Sequence, residues 1–315
     1  LEPLGGDADS PTVVMDVNRQ GAAVGWSYVL PVDDQPEVTL WQVVDPPQFT
    51  INAGHAGAWY DPATSGQGLM IDVIPEDQFV FLAWFTFAEQ GEPHWFTAQG
   101  NYAGGSANLT VYETLGGRFN VPWPSSTAPV GELSLSFADC GHGQVAYALD
   151  HWGKQGDFSI ERLIPGSGDR CVARAGNAAR SVDINPGVDG AWHDPLISGQ
   201  GVFLDVHSDP QQGGFVFLAW LTYGDDTASG QRWLTAQGSI DGATATLDAY
   251  ETTGGLLDDT RPVQTRWLGP MTLEFSDCNN ASLSYTLFGT GEDATPLTRL
   301  LPQGSGGCEA ITGAR

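Results

Sequence analysis

Along most of this chain the apolar positions recur every second residue, which predicts strands rather than helices. In LSLSFADC (133–140) Leu133, Leu135 and Phe137 share one face, and Ser134, Ser136 and Ala138 the other; Met271, Leu273 and Phe275 repeat the pattern. Val145, Tyr147 and Leu149 alternate in the same way, as do Leu283, Tyr285 and Leu287. FVFLAWF (79–85) is apolar at both parities, which marks a strand covered on both sides. Gly-rich turns separate these runs, and no amphipathic helical period of any length is present.

The pattern is written twice. GAWYDPATSGQG (57–68) returns as GAWHDPLISGQG (190–201), FVFLAWFTF (79–87) as FVFLAWLTY (215–223), and WFTAQG (95–100) as WLTAQG (233–238). YETLGG (112–117) meets YETTGG (250–255), and LSFADC (135–140) meets LEFSDC (273–278). The fold class expected is all-β: two tandem antiparallel β-meanders of about 120 residues and about seven strands each, closed as a small barrel or folded as a sandwich. The division is 1–50 as an N-terminal β segment, 51–175 as the first unit and 176–315 as the second. In the N-terminal part, 12–30 reads as a hairpin with its turn at 18–21, and 37–44 as a third strand. Three strands bury too little to stand alone, so they are expected to pack in cis or on a neighbouring subunit. The stretch 172–187, small and polar, reads as an exposed connector.

The cysteines follow the repeat. Cys140 and Cys171 end the first copy, and Cys278 and Cys308 the second. Four cysteines allow three pairings, and the duplication favours one bridge inside each copy. Disulfides belong to an oxidising compartment, so the chain is expected to be secreted, at the cell surface or in the periplasm. It opens on Leu1 without a basic-then-apolar leader, which predicts a processed exported form.

Charge narrows the partners. With Lys+Arg 12 against Asp+Glu 38 the net charge is −26, so polyanions are repelled: no nucleic acid and no anionic membrane surface is expected as a partner. The longest apolar run is far shorter than the roughly 20 residues of a spanning helix, and no membrane insertion is expected.

The repeated motif has two readings. Asp-Pro followed by Ser-Gly suits a turn, with Asp61 and Asp194 accepting backbone N–H groups. Alternatively, Trp59, Asp61, Ser65, Gln67, Trp95, Gln99 and Glu113, with Trp192, Asp194, Ser198, Gln200, Trp233, Gln237 and Glu251 in the second copy, form aromatic, amide-rich ligand sites that stack and hydrogen-bond a sugar. The pair Trp84 and Trp220 lies on the doubly apolar strand and reads as core. Glu113 and Glu251 share parity with apolar neighbours, which singles them out as carboxylates on an apolar face.

No hydrolase elbow, zinc-protease motif, phosphate loop or dinucleotide fingerprint is present, so no catalytic residue, metal or cofactor is assigned. Histidine does not recur between copies: Tyr60 is matched by His193, and His94 by Arg232. The acidic doublets 225–226 and 258–259 lack calcium-loop spacing.

Gly57-Ala58-Trp59-Tyr60-Asp61 with Ser65 resembles the first strand of avidin-like barrels, a likeness of a dozen residues in which Asp61 stands where an Asn is expected. It implies barrel topology, with Asp61 and Ser65 at the ligand. More broadly, 57–308 is similar to secreted proteobacterial proteins with tandem G-x-W-Y-D-P…S-G-x-G units and a terminal Cys pair, a resemblance that implies no particular activity. The first functional expectation is a non-catalytic extracellular structural or adhesive protein, a fibre or surface-assembly subunit that self-associates by β-strand addition. A tandem carbohydrate-binding protein is the alternative, and a secreted glycan-active hydrolase the third.

Overall fold

The structure, a computed structural model, describes residues 12–17, 23–27, 37–41, 50–164, 184–209, 213–225 and 230–301. The chain divides into two compact units, Leu1–Phe49 and Thr50–Arg315.

The first unit carries β1 (Thr12–Val17), β2 (Ala23–Ser27) and β3 (Glu37–Trp41), an antiparallel sheet in the order β1-β2-β3. The hairpin and third strand expected from the sequence are there; the expected turn, 18–21, lies outside the described residues.

The second unit is two closed antiparallel barrels of eight strands each. One runs β4 (Gly57–Tyr60), β5 (Gly68–Ile74), β6 (Phe79–Phe87), β7 (Pro93–Ala103), β8 (Ser106–Leu115), β9 (Ser126–Phe137), β10 (His142–Leu149) and β11 (Lys154–Arg162). The other runs β12 (Gly190–His193), β13 (Gly201–Asp209), β14 (Gly213–Tyr223), β15 (Gln231–Asp241), β16 (Thr244–Thr253), β17 (Gln264–Phe275), β18 (Asn280–Tyr285) and β19 (Asp293–Arg299). Each strand pairs with its successor, and the last returns to the first: Arg162 lies opposite Trp59, and Arg299 opposite Trp192. The barrel alternative is therefore the one observed, with eight strands rather than seven. The strand hardest to read is the last: Lys154, Gln155 and Asp157 break the apolar alternation of β11.

Alternation within β6 explains its doubly apolar sequence. Val80, Leu82 and Trp84 are fully buried inside the first barrel, where Trp84 packs on Phe96, Tyr147 and Phe158. Ala83, Phe85 and Phe87 point outward, yet they too are buried, because they meet the other barrel. The shared cluster is built from equivalent positions of the two copies: Ala58 with Ala191, Met70 with Phe203, Ala83 with Ala219, Phe85 with Leu221, Phe87 with Tyr223 and Trp95 with Trp233. The outer faces of β4–β7 and β12–β15 thus form one core between the barrels, related by a pseudo-two-fold.

A buried carboxylate crosses this interface in each direction. Asp205 Oδ2 accepts the Ala58 N–H at 2.9 Å, and Asp72 Oδ2 accepts the Ala191 N–H at 3.0 Å. Both aspartates are buried, and hydrogen bonding to the opposing strand makes that burial tolerable. The approach requires glycine beside each acceptor strand: Gly57 and Gly190 have φ of +116° and +114°, and a Cβ there would lie 2.7 Å from Asp205 Oδ2 and 2.5 Å from Asp72 Oδ2. Trp95 Nε1 donates to Thr222 O at 3.1 Å, and Trp233 Nε1 to Thr86 O at 2.9 Å, completing the reciprocal set.

Among the described residues no helix is long and apolar enough to cross a membrane. Cys140 and Cys278 occupy equivalent turns after β9 and β17, and neither is a free thiol. Cys171 and Cys308 lie outside the described residues, as does most of the expected connector, so no bridge can be traced among the described residues.

Replacing Gly57 or Gly190 with Ala combines backbone strain with a clash against a buried carboxylate, and each is expected to cost about 2–4 kcal/mol in urea unfolding. Gly291→Ala, where a Cβ meets nothing within 4 Å, is the control and stays within about 0.5 kcal/mol of the parent.

Candidate functional site

The repeated motif that opens each unit divides between the barrel floor and the barrel mouth. At the floor, a 3-10 turn precedes the first strand: Ala53–His55 in one copy and Pro186–Val188 in the other, each capped by an asparagine side chain, Asn52 or Asn185. Trp59 Nε1 donates to His55 O at 2.9 Å, and Trp192 Nε1 to Val188 O at 3.0 Å. An arginine on the last strand lies over each indole, Arg162 at 4.1 Å from the Trp59 ring and Arg299 at 4.9 Å from that of Trp192. Its guanidinium spends its donors on backbone carbonyls: Arg299 on Asp189 O at 2.9 Å, Gly187 O at 2.7 Å and Cys278 O at 3.3 Å. Arg162 does the same with Ala56, Gly54 and Cys140. The buried cation is satisfied by hydrogen bonds and by the indole face. Trp59 and Trp192 are therefore closed off from any ligand.

At the mouth, Asp61 Oδ1 accepts the Ala63 N–H at 2.9 Å and Asp194 Oδ1 the Leu196 N–H at 2.8 Å, the turn role expected of an Asp-Pro step. Asp194 also accepts from Thr295 at 3.3 Å. Ser65 is exposed; Ser198 meets Ser125 at 3.1 Å. Gln67 and Gln200 are clamps between the barrels. Thr86 donates to Gln67 Oε1 and Thr222 to Gln200 Oε1, both at 2.6 Å, while the amide nitrogens reach Asp259 O at 3.5 Å and Arg118 O at 2.7 Å in the opposite barrel.

Those carbonyls belong to loops that close the neighbour's mouth. Residues 116–125, between β8 and β9, place Phe119 on Trp220 at 5.2 Å and near Tyr285 and Phe288 in the second barrel. Residues 254–263 reciprocate: Leu257 is buried, and Asp258 accepts from the Tyr147 hydroxyl of the first barrel at 3.0 Å. Burial first, and then the Asp258 charge, push the Tyr147 phenol well above its ordinary range. Asn120 and Asp258 hold matching positive φ of 43° and 55°, and Asn120 donates to Tyr285. Gly117 and Gly255, from the YET-x-GG motif, leave room for the rings of Tyr223 and Phe87. The void left at the first barrel's plugged mouth, among Asp61, Gln67, Trp84, Phe158 and Asp258, is about 10 Å³, the size of one water.

Trp95 and Trp233 are buried between the barrels, whereas Gln99 and Gln237 are exposed further along the same outward faces. The tryptophans and these glutamines therefore do not line a common pocket. Glu113 and Glu251 point into the barrels and differ in their partners. Glu251 is buried between two guanidinia, Arg232 Nε at 3.0 Å and Arg266 Nη2 at 2.7 Å. Glu113 faces His94 Nε2 at 3.0 Å, and the residue across the ladder is Ala128 where the second barrel has Arg266. Hydrogen bonding to His94 holds the Glu113 carboxyl below the usual range against the opposing effect of burial, with Trp152 and His151 adding to the lowering.

An open cleft of about 400 Å³ lies beside this pair, walled by Ala88, Glu89, Gln90, Glu92, His151 and Trp152. Trp152, in the 3-10 turn Asp150–Trp152, packs on His94 at 4.5 Å and on Phe96 at 5.2 Å. Among the described residues no group of three or more His, Cys, Asp or Glu is placed to hold a metal ion.

Sequence reasoning missed Arg162 and Arg299, although the recurrence of Arg-Leu at 162–163 and 299–300 in a chain this poor in cations was the available signal. It also missed Trp152, which has no tryptophan counterpart in the second copy. The chain matches no protein-family model and none of the curated proteins with which it was compared.

Burial lowers the His55 imidazole from 6.5 to about 4, so the folded barrel holds it neutral while the unfolded chain takes up a proton below 6.5. The stability this leaves intact above pH 6.5 is lost progressively down to pH 4, on the order of 3 kcal/mol in all. His55→Val, which installs the residue found at the equivalent Val188, is expected to flatten the stability profile between pH 6.5 and 5 in urea titrations.

Proposed function

We propose that this chain is a non-catalytic, extracellular structural or adhesive subunit, in which the paired barrels are a rigid body and the N-terminal sheet joins one copy to the next by strand addition. The observation that carries this reading is the use made of the repeated residues. Trp59, Trp192, Gln67, Gln200, Trp95 and Trp233 all close a barrel floor, clamp a loop or fill the inter-barrel core, leaving none of them for a substrate. Among the described strands both barrels are closed rings, which leaves β1 and β3, the edges of the N-terminal sheet, as the places where an added strand would pair.

Secretion and one bridge in each unit, Cys140 with Cys171 and Cys278 with Cys308, belong to the same proposal. Each bridge would stabilise its barrel by about 3–4 kcal/mol in the chain-entropy account. It would fasten the turn whose carbonyl, Cys140 O or Cys278 O, receives the floor arginine. Membership among secreted proteobacterial tandem-unit proteins, and kinship with avidin-like barrels, are proposed on the motif and on the closed-barrel topology.

Carbohydrate binding is the second reading, favoured by one observation: Trp152 presents an indole at an open cleft beside Gln90 and two carboxylates. Hydrolysis has the least support, since Glu113 is engaged by His94 and Glu251 by two arginines.

Sedimentation and negative-stain microscopy of the full chain, against a variant lacking 1–49, test the structural reading. Ordered multimers that fall to monomers on truncation are expected. Monomers in both samples at high concentration contradict it.

A further inference from the structure

The two barrels answer the same electrostatic problem differently. In the second, Glu251 is neutralised by Arg232 and Arg266, and the Arg232 guanidinium lies 4.9 Å from the Phe288 ring. The mouth of that barrel thus contains its own cation, held between a carboxylate and an aromatic face. In the first barrel, His94 replaces Arg232 at the position paired with the strand threonine, Thr86 or Thr222, and Ala128 replaces Arg266 opposite the glutamate. The glutamate is kept as Glu113, and an aromatic face is kept as Trp152. Both guanidinia are missing.

The cleft lies against Trp152, whose ring packs on His94. Glu89 and Glu92 are exposed on its wall, Trp152 is fixed against His94 and Phe96, and no lysine or arginine is among its lining residues. Two carboxylates beside a rigid indole attract an organic cation by charge and by the ring quadrupole together, and the net charge of −26 draws cations toward the surface.

We propose that the cleft walled by Glu89, Glu92 and Trp152 binds the ammonium or guanidinium group of an external ligand. The proposal is independent of the self-assembly reading. Calorimetric titration of the full chain at low salt tests it with three probes: a glucosamine tetramer, arginine methyl ester, and the N-acetylated tetramer as the neutral control. Both cationic probes are expected to bind at least about tenfold more tightly than the control and to weaken as salt is raised. The tetramer binding more tightly than the ester assigns the source of the cation to an amine-bearing glycan, and the reverse order assigns it to a peptide side chain. Glu89→Gln with Glu92→Gln, two exposed changes that leave the core untouched, is expected to remove about tenfold of the affinity for the cationic probes. Trp152→Phe, which keeps an aromatic at the position, is expected to retain part of it. Equal binding of the neutral control, no binding of either cation, or unchanged affinity in the double variant overturns the proposal.

Discussion

Everything in the paired barrels depends on two outward-facing sheet surfaces that are apolar and must be covered by each other. A closed barrel normally hides its apolar residues inside and shows water a polar exterior, yet here Ala58, Met70, Phe85, Phe87 and Trp95 face out and are buried only because Ala191, Phe203, Leu221, Tyr223 and Trp233 meet them. Burying a large apolar side chain is worth about 1.5–3 kcal/mol, so exposing this face would be severe for either barrel alone. The buried carboxylates of Asp72 and Asp205 add direction to that attraction: each accepts an N–H of the opposite first strand, which fixes the register of the docking. The clamping glutamines and the reciprocal plug loops follow from this placement, because they reach the neighbouring mouth only when the faces are in register.

Duplication within one chain has a further consequence. In a symmetric pair of separate chains, both mouths would have to change together. Once the copies are joined, each can vary alone, and they have: the plug residue is Phe119 on one side and Leu257 on the other, the floor residue is His55 or Val188, and the glutamate's partner is His94 or Arg232. The parts that hold the barrels together have stayed paired, and the differences fall at the floors and the mouths.

How far the sequence revealed this depends on the distance over which each feature acts. Period-two alternation, the tandem copy and the doubly apolar strand at 79–85 are local, and they led to an all-β, two-unit fold. That strand also carried the sign of a second covering layer, but a run such as FVFLAWF does not say whether the cover is its own chain's helix, a sheet or a second barrel. The roles of Trp95 and Gln67 were illegible for the same reason: their partners, Thr222 and Asp259, lie more than a hundred residues away. Turn chemistry was legible, since Asp61 and Asp194 cap their own loops. The eighth strand was not, because its edge residues are polar and only ring closure makes them a strand.

Native-state hydrogen exchange on a chain carrying Leu218→Ala is the most direct test of mutual dependence. Leu218 lies inside the second barrel, away from the shared face, and its truncation costs about 2–5 kcal/mol there. If the two barrels stand or fall as one body, amides of β4–β7 lose protection by the same amount as those of β12–β15. Protection in the first barrel that stays at the parent level while the second loosens contradicts that account.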